Sequence, residues 1–117
     1  YYANLGNTAG ATASYHKALA LRERVAAARP DDPAVRSELA DGHEGVGDML
    51  YTAGDLRGAL ARYERALARR APLAAAAPDD VDRRRALAAT HVRLGDVKGL
   101  EGYANLGDTP GALAHYR

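Results

Sequence analysis

The sequence predicts an all-α fold: antiparallel helix pairs stacked as an α-solenoid, with about two and a half repeats of period 48. Three observations favour it. The apolar residues are dominated by Ala and Leu, with seven Tyr and no Phe or Trp, a composition that favours packed helices over a sheet. Residues 6–48 match residues 54–96 at 21 of 43 positions, which indicates an internal repeat. Within each period, apolar residues recur at intervals of three and four, the spacing of one helix face.

Each period contains two predicted helices, A and B, separated by a turn. Helix A of the complete repeat begins at Asp32 and Pro33, because Asp caps free backbone N–H groups and Pro at the first helical position gives up only an unpaired donor. Gly54 ends helix A, and Asp55 caps helix B. Helix B contains Pro72, which removes a backbone hydrogen bond and clashes with the preceding turn, so we expect a kink or break there.

A ten-residue phrase near the start, YANLGNTAGA, returns near the end as YANLGDTPGA. We interpret both copies as the turn between helices A and B. Helix B should therefore start at Thr8 in the first copy, after a turn at Gly6, and at Thr109 in the third. The third copy resumes about five residues late, which places an insertion near residues 97–106.

These signals divide the 117 residues into three predicted units. Residues 1–30 form a half repeat with helix B, and residues 31–78 form a full repeat with helices A and B. Residues 79–117 form a repeat with the insertion and a truncated helix B. Because the chain begins without Met or a leader-like segment, we expect it to be a piece of a longer protein.

The small residues of the repeat resemble those of the tetratricopeptide repeat family. That family has a small residue in helix A, Gly at the turn, and Ala, an aromatic residue and Ala in helix B. Here they are Gly47, Gly54, Ala59, Tyr63 and Ala66, and the third copy has Gly95, Gly107, Ala112 and Tyr116. The period of 48 exceeds the family's usual 34, and His43 and His91 replace a frequent large aromatic residue.

This resemblance implies a protein-interaction scaffold. In such arrays the A helices line a concave surface that holds peptides, and register from the signature glycines places six residues on that surface. They are Asp41, Glu44, Asp48, Tyr51, Arg93 and Asp96. The set is mostly acidic, so we expect a protein or peptide partner of basic or mixed charge. The alternatives are that these residues are merely exposed, or that the chain is a structural spacer or associates with itself end to end.

A narrower resemblance concerns the phrases NLGDTxGALxxYR and AxxPDDxxVRxxLA. Together they are similar to the C-terminal helical-repeat regions of some bacterial serine/threonine protein kinases of eukaryotic type. This resemblance implies a non-catalytic recognition or regulatory arm. The sequence contains no Gly-rich phosphate loop, no HRD and no DFG motif.

The motifs that could carry chemistry are incomplete, so we expect no catalytic residue, no metal and no cofactor. His43 and Asp48 are suitable zinc ligands by type, but five residues apart they do not share a helix face. We therefore expect a packed or partly exposed structural histidine. The stretch HEGVG lacks the second His of a zinc-protease motif, neither serine lies in a nucleophile motif, and there is no cysteine.

Arginines concentrate in helix B of the middle copy and shortly after it. They are Arg57, Arg62, Arg65, Arg69, Arg70, Arg83, Arg84 and Arg85. Acidic residues interrupt them and the net charge is only +1, so we expect a solvated outer face and no nucleic-acid partner. No apolar run approaches the roughly 18 residues of a membrane span, so we expect no membrane partner. The sequence does not determine the compartment, and we expect the cytoplasm.

Overall fold

A computed structural model of the chain describes residues 2–106, with side chains for residues 10–100. It contains four α-helices: α1 (Tyr2–Ala28), α2 (Pro33–Thr52), α3 (Leu56–Ala76) and α4 (Val81–Leu106). Each helix packs against the next one in the chain. Helices α1 and α3 are the predicted B helices, and α2 and α4 the predicted A helices. The predicted all-α helical repeat is confirmed, and residues 2–106 include no strand.

Helix α2 starts where the sequence predicts. The Asp32 carboxylate accepts hydrogen bonds from the backbone N–H groups of Ala34 at 3.0 Å and Val35 at 3.4 Å, and Pro33 occupies the first turn. These bonds satisfy two of the N–H groups that a helix start leaves free.

The turn between α2 and α3 also follows the prediction. Gly54 has φ of +87°, a left-handed conformation that Gly adopts without the steric cost of a Cβ atom. Asp55 follows at once and accepts a hydrogen bond of 2.9 Å from the backbone N–H of Gly58. Local sequence therefore determines both ends of this turn.

The predicted turn in the first copy is wrong. Helix α1 runs without interruption from Tyr2 to Ala28, so Gly6 and Thr8 lie inside a helix. Gly and Thr lower helix propensity by only about 1 kcal/mol or less each, so they permit a turn without forcing one. The second copy of the phrase continues α4 as far as Leu106, and its predicted turn at Gly107 lies outside the described residues.

Two irregular segments are helical. Pro72 lies inside α3, which continues to Ala76, so the helix does not break there. The inserted segment 97–106 belongs to α4 and makes it longer, at 26 residues, than α2 at 20. No helix in the described part of the chain has both the length and the apolarity to cross a bilayer.

The signature residues of the complete repeat form the contact between α2 and α3. A Cβ atom placed on Gly47 would lie 2.6 Å from Cε1 of Tyr63, so the two helices approach more closely than a side chain at that position would allow. Ala59, Tyr63 and Ala66 are all buried. The third-copy residues Gly107, Ala112 and Tyr116 lie outside the described residues.

Two apolar clusters join α1 to α2 and α3 to α4. Leu19 of α1 packs with Leu39 and Val46 of α2. Ala59 and Tyr63 of α3 pack with Leu94 and Val97 of α4. Four partly buried side chains surround this second cluster: Leu50, Leu56, Leu60 and Leu67. Neighbouring helices therefore share apolar clusters, as expected of a repeat array, although α1 leaves Tyr15, Leu21 and Val25 exposed.

Candidate functional site

The residues predicted to face a groove come from α2 and α4. Four of the six line one cavity of about 200 Å³, which we call the α2–α4 cavity. Its lining residues are Asp48, Tyr51, Tyr63, Arg93 and Asp96. The other two predicted residues, Asp41 and Glu44, lie on α2 and contact arginines of α3 and α4.

Glu44 joins three helices through one carboxylate. Its Oε1 lies 3.1 Å from Nη1 of Arg93 on α4, and its Oε2 lies 3.5 Å from Nη2 of Arg70 on α3. Thr90 of α4 donates a hydrogen bond of 2.7 Å to the same Oε2. Because the Glu44 side chain is only 14% exposed, these contacts are shielded from water and hold α2, α3 and α4 together.

Asp48 has a similar position one turn further along α2. The hydroxyl of Tyr63 donates a hydrogen bond of 2.6 Å to Oδ1 of Asp48, and Arg93 donates one of 3.0 Å to the same oxygen. Burial raises the pKa of Tyr63 above its ordinary value, and the bond to Asp48 raises it further. Tyr63 therefore remains a neutral donor at physiological pH.

Asp41 contacts Arg70, whose Nη2 donates a hydrogen bond of 2.7 Å to Oδ1 of Asp41. Arg70 is only 7% exposed, so the prediction that it belongs to a solvated outer face is wrong. Its guanidinium is buried because two carboxylates of α2, those of Asp41 and Glu44, compensate its charge. Arg22 lies one period of 48 residues before Arg70, and this repetition of an arginine could have indicated from sequence that Arg70 is buried.

These contacts change the predicted charge of the site. Sequence position indicated a mostly acidic surface, but Arg70 and Arg93 are paired with the carboxylates of α2. The surface is thus of mixed charge, and part of its acidic character serves the packing of the repeat. Arg70, Tyr63 and Thr90 were not among the predicted groove residues, since their contacts depend on how three helices pack.

A comparison with known families gives a match at the start of the chain. Residues 1–34 match a family model described as tetratricopeptide repeat. This span, 34 of the 117 residues, is similar to a tetratricopeptide repeat. No curated protein and no solved structure matches the chain. Tetratricopeptide repeats are in general non-catalytic and serve as scaffolds for protein–protein interaction.

The histidine predicted to be structural lies between α2 and α3. His43 is 2% exposed, and its Nδ1 lies 3.5 Å from Nη1 of Arg62 on α3. Burial, together with the charges of Arg69, Arg62 and Arg65, lowers the pKa of His43 from 6.5 to about 4. The ring is therefore neutral at physiological pH, and the prediction of a packed histidine is confirmed.

His91, the equivalent histidine on α4, is exposed. In the described part of the chain, His, Asp and Glu side chains nowhere form a group of three with metal-binding geometry. The two histidines of the repeat thus differ in environment because α3 covers the first of them.

Proposed function

We propose that this chain is a protein-interaction scaffold that binds a peptide segment of its partner in the α2–α4 cavity. The observation that supports the proposal is the convergence of Asp48, Tyr51, Arg93 and Asp96, from two A helices, on one cavity beside Tyr63. Concave sites with a few convergent polar groups are the usual places where proteins bind ligands.

The chemistry of the cavity favours a segment with a Lys or Arg residue. The lining carries two carboxylates, Asp48 and Asp96, for the one guanidinium of Arg93. The Asp48 side chain is 48% exposed although it is bonded to Arg93, so one face of it still contacts solvent. Tyr51 is 36% exposed beside it and offers an aromatic surface to the alkyl part of a cationic side chain.

A displayed library of random dodecapeptides tests the proposal, because it offers the cavity many partner sequences at once. We expect the chain to select peptides enriched in Lys and Arg, and the combined changes Tyr51→Ala and Asp96→Asn to weaken their binding about tenfold or more. Asp79→Asn is the matched control, because Asp79 is exposed and lies in the connection between α3 and α4, outside the cavity lining. Selection of peptides without basic residues, or equal loss in the control, would contradict the proposal.

The phrases similar to kinase repeat regions support a more specific role as a non-catalytic arm of a serine/threonine kinase. In that role the cavity would select the kinase's substrate or regulator. The sequence encoded upstream of Tyr1 tests it: a kinase catalytic core there is the expected result, and any other domain contradicts it.

A second candidate function is self-association, which one observation favours. Tyr63 and Ala66 of α3 are buried at 2% and 0% exposure, whereas their repeat equivalents on α1, Tyr15 and Ala18, are exposed. The same face that α3 buries against α2 is thus accessible on α1. Light scattering should show a mass that rises with concentration and falls back with Tyr15→Ser, and a constant monomer mass would exclude this function.

A further inference from the structure

A second concave region lies between α1 and α3, away from the α2–α4 cavity. This cleft of about 330 Å³, which we call the α1–α3 cleft, is lined by Ala26, Pro30, Arg36, Leu39, Ala68 and Arg69. Helix α2 supplies Leu39, which is 5% exposed, and Arg36. The lining is therefore apolar except for two guanidinium groups.

The arginines at and beside this cleft are not neutralised. Arg70, Arg83 and Arg93 are the arginines that make ion pairs with carboxylates among the described side chains. Arg36 has no such pair there, and Arg69 donates only to the backbone carbonyl oxygen of Arg65. The nearest acidic residue in sequence to Arg36 is Glu38, which forms no ion pair with it among the described side chains, and Asp32 is occupied as the cap of α2.

Further positive charge surrounds the cleft on the α3 side. Nη1 of Arg62 lies 3.5 Å from Nδ1 of His43, and the charges of Arg69, Arg62 and Arg65 add to burial in lowering the pKa of His43. On the α1 side, Arg22 lies against Gly42, since a Cβ atom there would come within 3.3 Å of its side chain. Of these arginines, Arg36 and Arg69 line the cleft itself, and neither makes an ion pair with a carboxylate among the described side chains.

We propose that the α1–α3 cleft binds an acidic peptide segment that carries an aliphatic side chain. The apolar surface of Ala26, Pro30 and Ala68 accepts the aliphatic group, while Arg36 and Arg69 bind carboxylates on either side of it. The ligand class is opposite in charge to the one proposed for the α2–α4 cavity. The chain therefore has two binding faces with complementary preferences.

The composition of the cleft favours a peptide over a nucleic acid. Single-stranded nucleic acids are held by aromatic side chains that stack on the bases, and the cleft lining includes no aromatic residue. The volume suits one aliphatic side chain with its neighbours. The net charge of +1 also gives no long-range field that would attract a polyanion.

Fluorescence anisotropy with short labelled peptides tests the proposal on the whole chain. The probe is the amidated peptide Glu-Glu-Leu-Glu-Glu, compared with Gln-Gln-Leu-Gln-Gln, with Glu-Glu-Ser-Glu-Glu and with an oligouridine decamer. The test variant is Arg36→Gln with Arg69→Gln, and the control is Arg84→Gln with Arg85→Gln, which removes the same charge from the exposed face of α4. Thermal unfolding should be similar in both variants, because neither Arg36 nor Arg69 makes an ion pair with another described side chain.

We expect the acidic peptide with Leu to bind, and the test variant to lose about tenfold or more of its affinity while the control loses less than about twofold. The peptides without charge or without Leu should bind more weakly. On saturation, the pKa of His43 measured by NMR should rise, because the bound carboxylates offset the arginine charges. No binding at millimolar peptide, equal loss in the control variant, or tighter binding of the decamer than of the acidic peptide would overturn the proposal.

Discussion

The replacement Glu44→Gln tests whether the carboxylates of α2 hold the repeat together. It keeps the size of the side chain but removes the charge that faces Arg70 at 3.5 Å and Arg93 at 3.1 Å. A hydrogen bond to a charged group contributes about 1.5–3 kcal/mol. Arg93 is 35% exposed and Arg70 keeps Asp41 as a partner, so solvent screening and the remaining pair reduce the loss. We expect the free energy of unfolding to fall by about 2 kcal/mol.

Thermal unfolding followed by circular dichroism measures this loss. For a chain of this length the entropy of unfolding near the midpoint is about 0.25 kcal/mol per degree, so the melting temperature should fall by about 8 °C. Glu38→Gln is the matched control, because Glu38 lies on the same helix and makes no ion pair among the described side chains, and it should change the melting temperature by less than about 2 °C. An equal melting temperature for Glu44→Gln and the unmodified chain would refute the role assigned to Glu44.

Three further predictions concern single residues. Because folding lowers the pKa of His43 from 6.5 to about 4, the stability that its neutral form contributes is complete above pH 6.5. As the pH falls towards 4, the free energy of unfolding should decrease by at most about 3 kcal/mol. Denaturant unfolding at several pH values measures this dependence, which should disappear in His43→Gln but persist in His91→Gln. Gly54→Ala should lower the free energy of unfolding by about 1–2 kcal/mol, because Gly54 has φ of +87°. Gly10→Ala should raise it by up to about 1 kcal/mol, because Gly10 lies in a helix and no atom is within 4 Å of the new Cβ. Calorimetry compares the two variants. Tyr63→Phe should lower the free energy of unfolding by about 1 kcal/mol, since it removes a hydrogen bond of 2.6 Å to a carboxylate of α2, and an unchanged urea midpoint would contradict this.

Capping residues in the sequence were sufficient to predict where the helices of the complete repeat begin. Asp32 and Asp55 cap the helices that they were predicted to cap, because a cap depends on residues two or three positions away. Gly6 shows the limit of that reasoning. Its phrase contains turn residues, but Gly and Thr permit a turn without forcing one, and α1 continues through it.

The sequence brought part of the predicted groove set to one cavity, but it did not predict the charge pairing around it. Register along α2 and α4 placed Asp48, Tyr51 and Asp96 on one surface, and all three line one cavity. The pairing of Glu44 with Arg70 and Arg93 joins residues that are 26 and 49 positions apart, so no local pattern contains it. The sequence also could not predict that the arginines of the α1–α3 cleft lack ion pairs, because only the folded chain shows which arginines have carboxylate partners.

The measurement that tests the central proposal most directly is a titration of the ¹⁵N-labelled chain with a Lys-containing peptide from the library selection, followed by NMR. We expect the backbone amide signals of Tyr51, Arg93 and Asp96 to shift together and to saturate with one dissociation constant, while those of α1 remain unchanged. Shifts confined to α1, or signals at these three residues that do not respond to a peptide that binds, would contradict it.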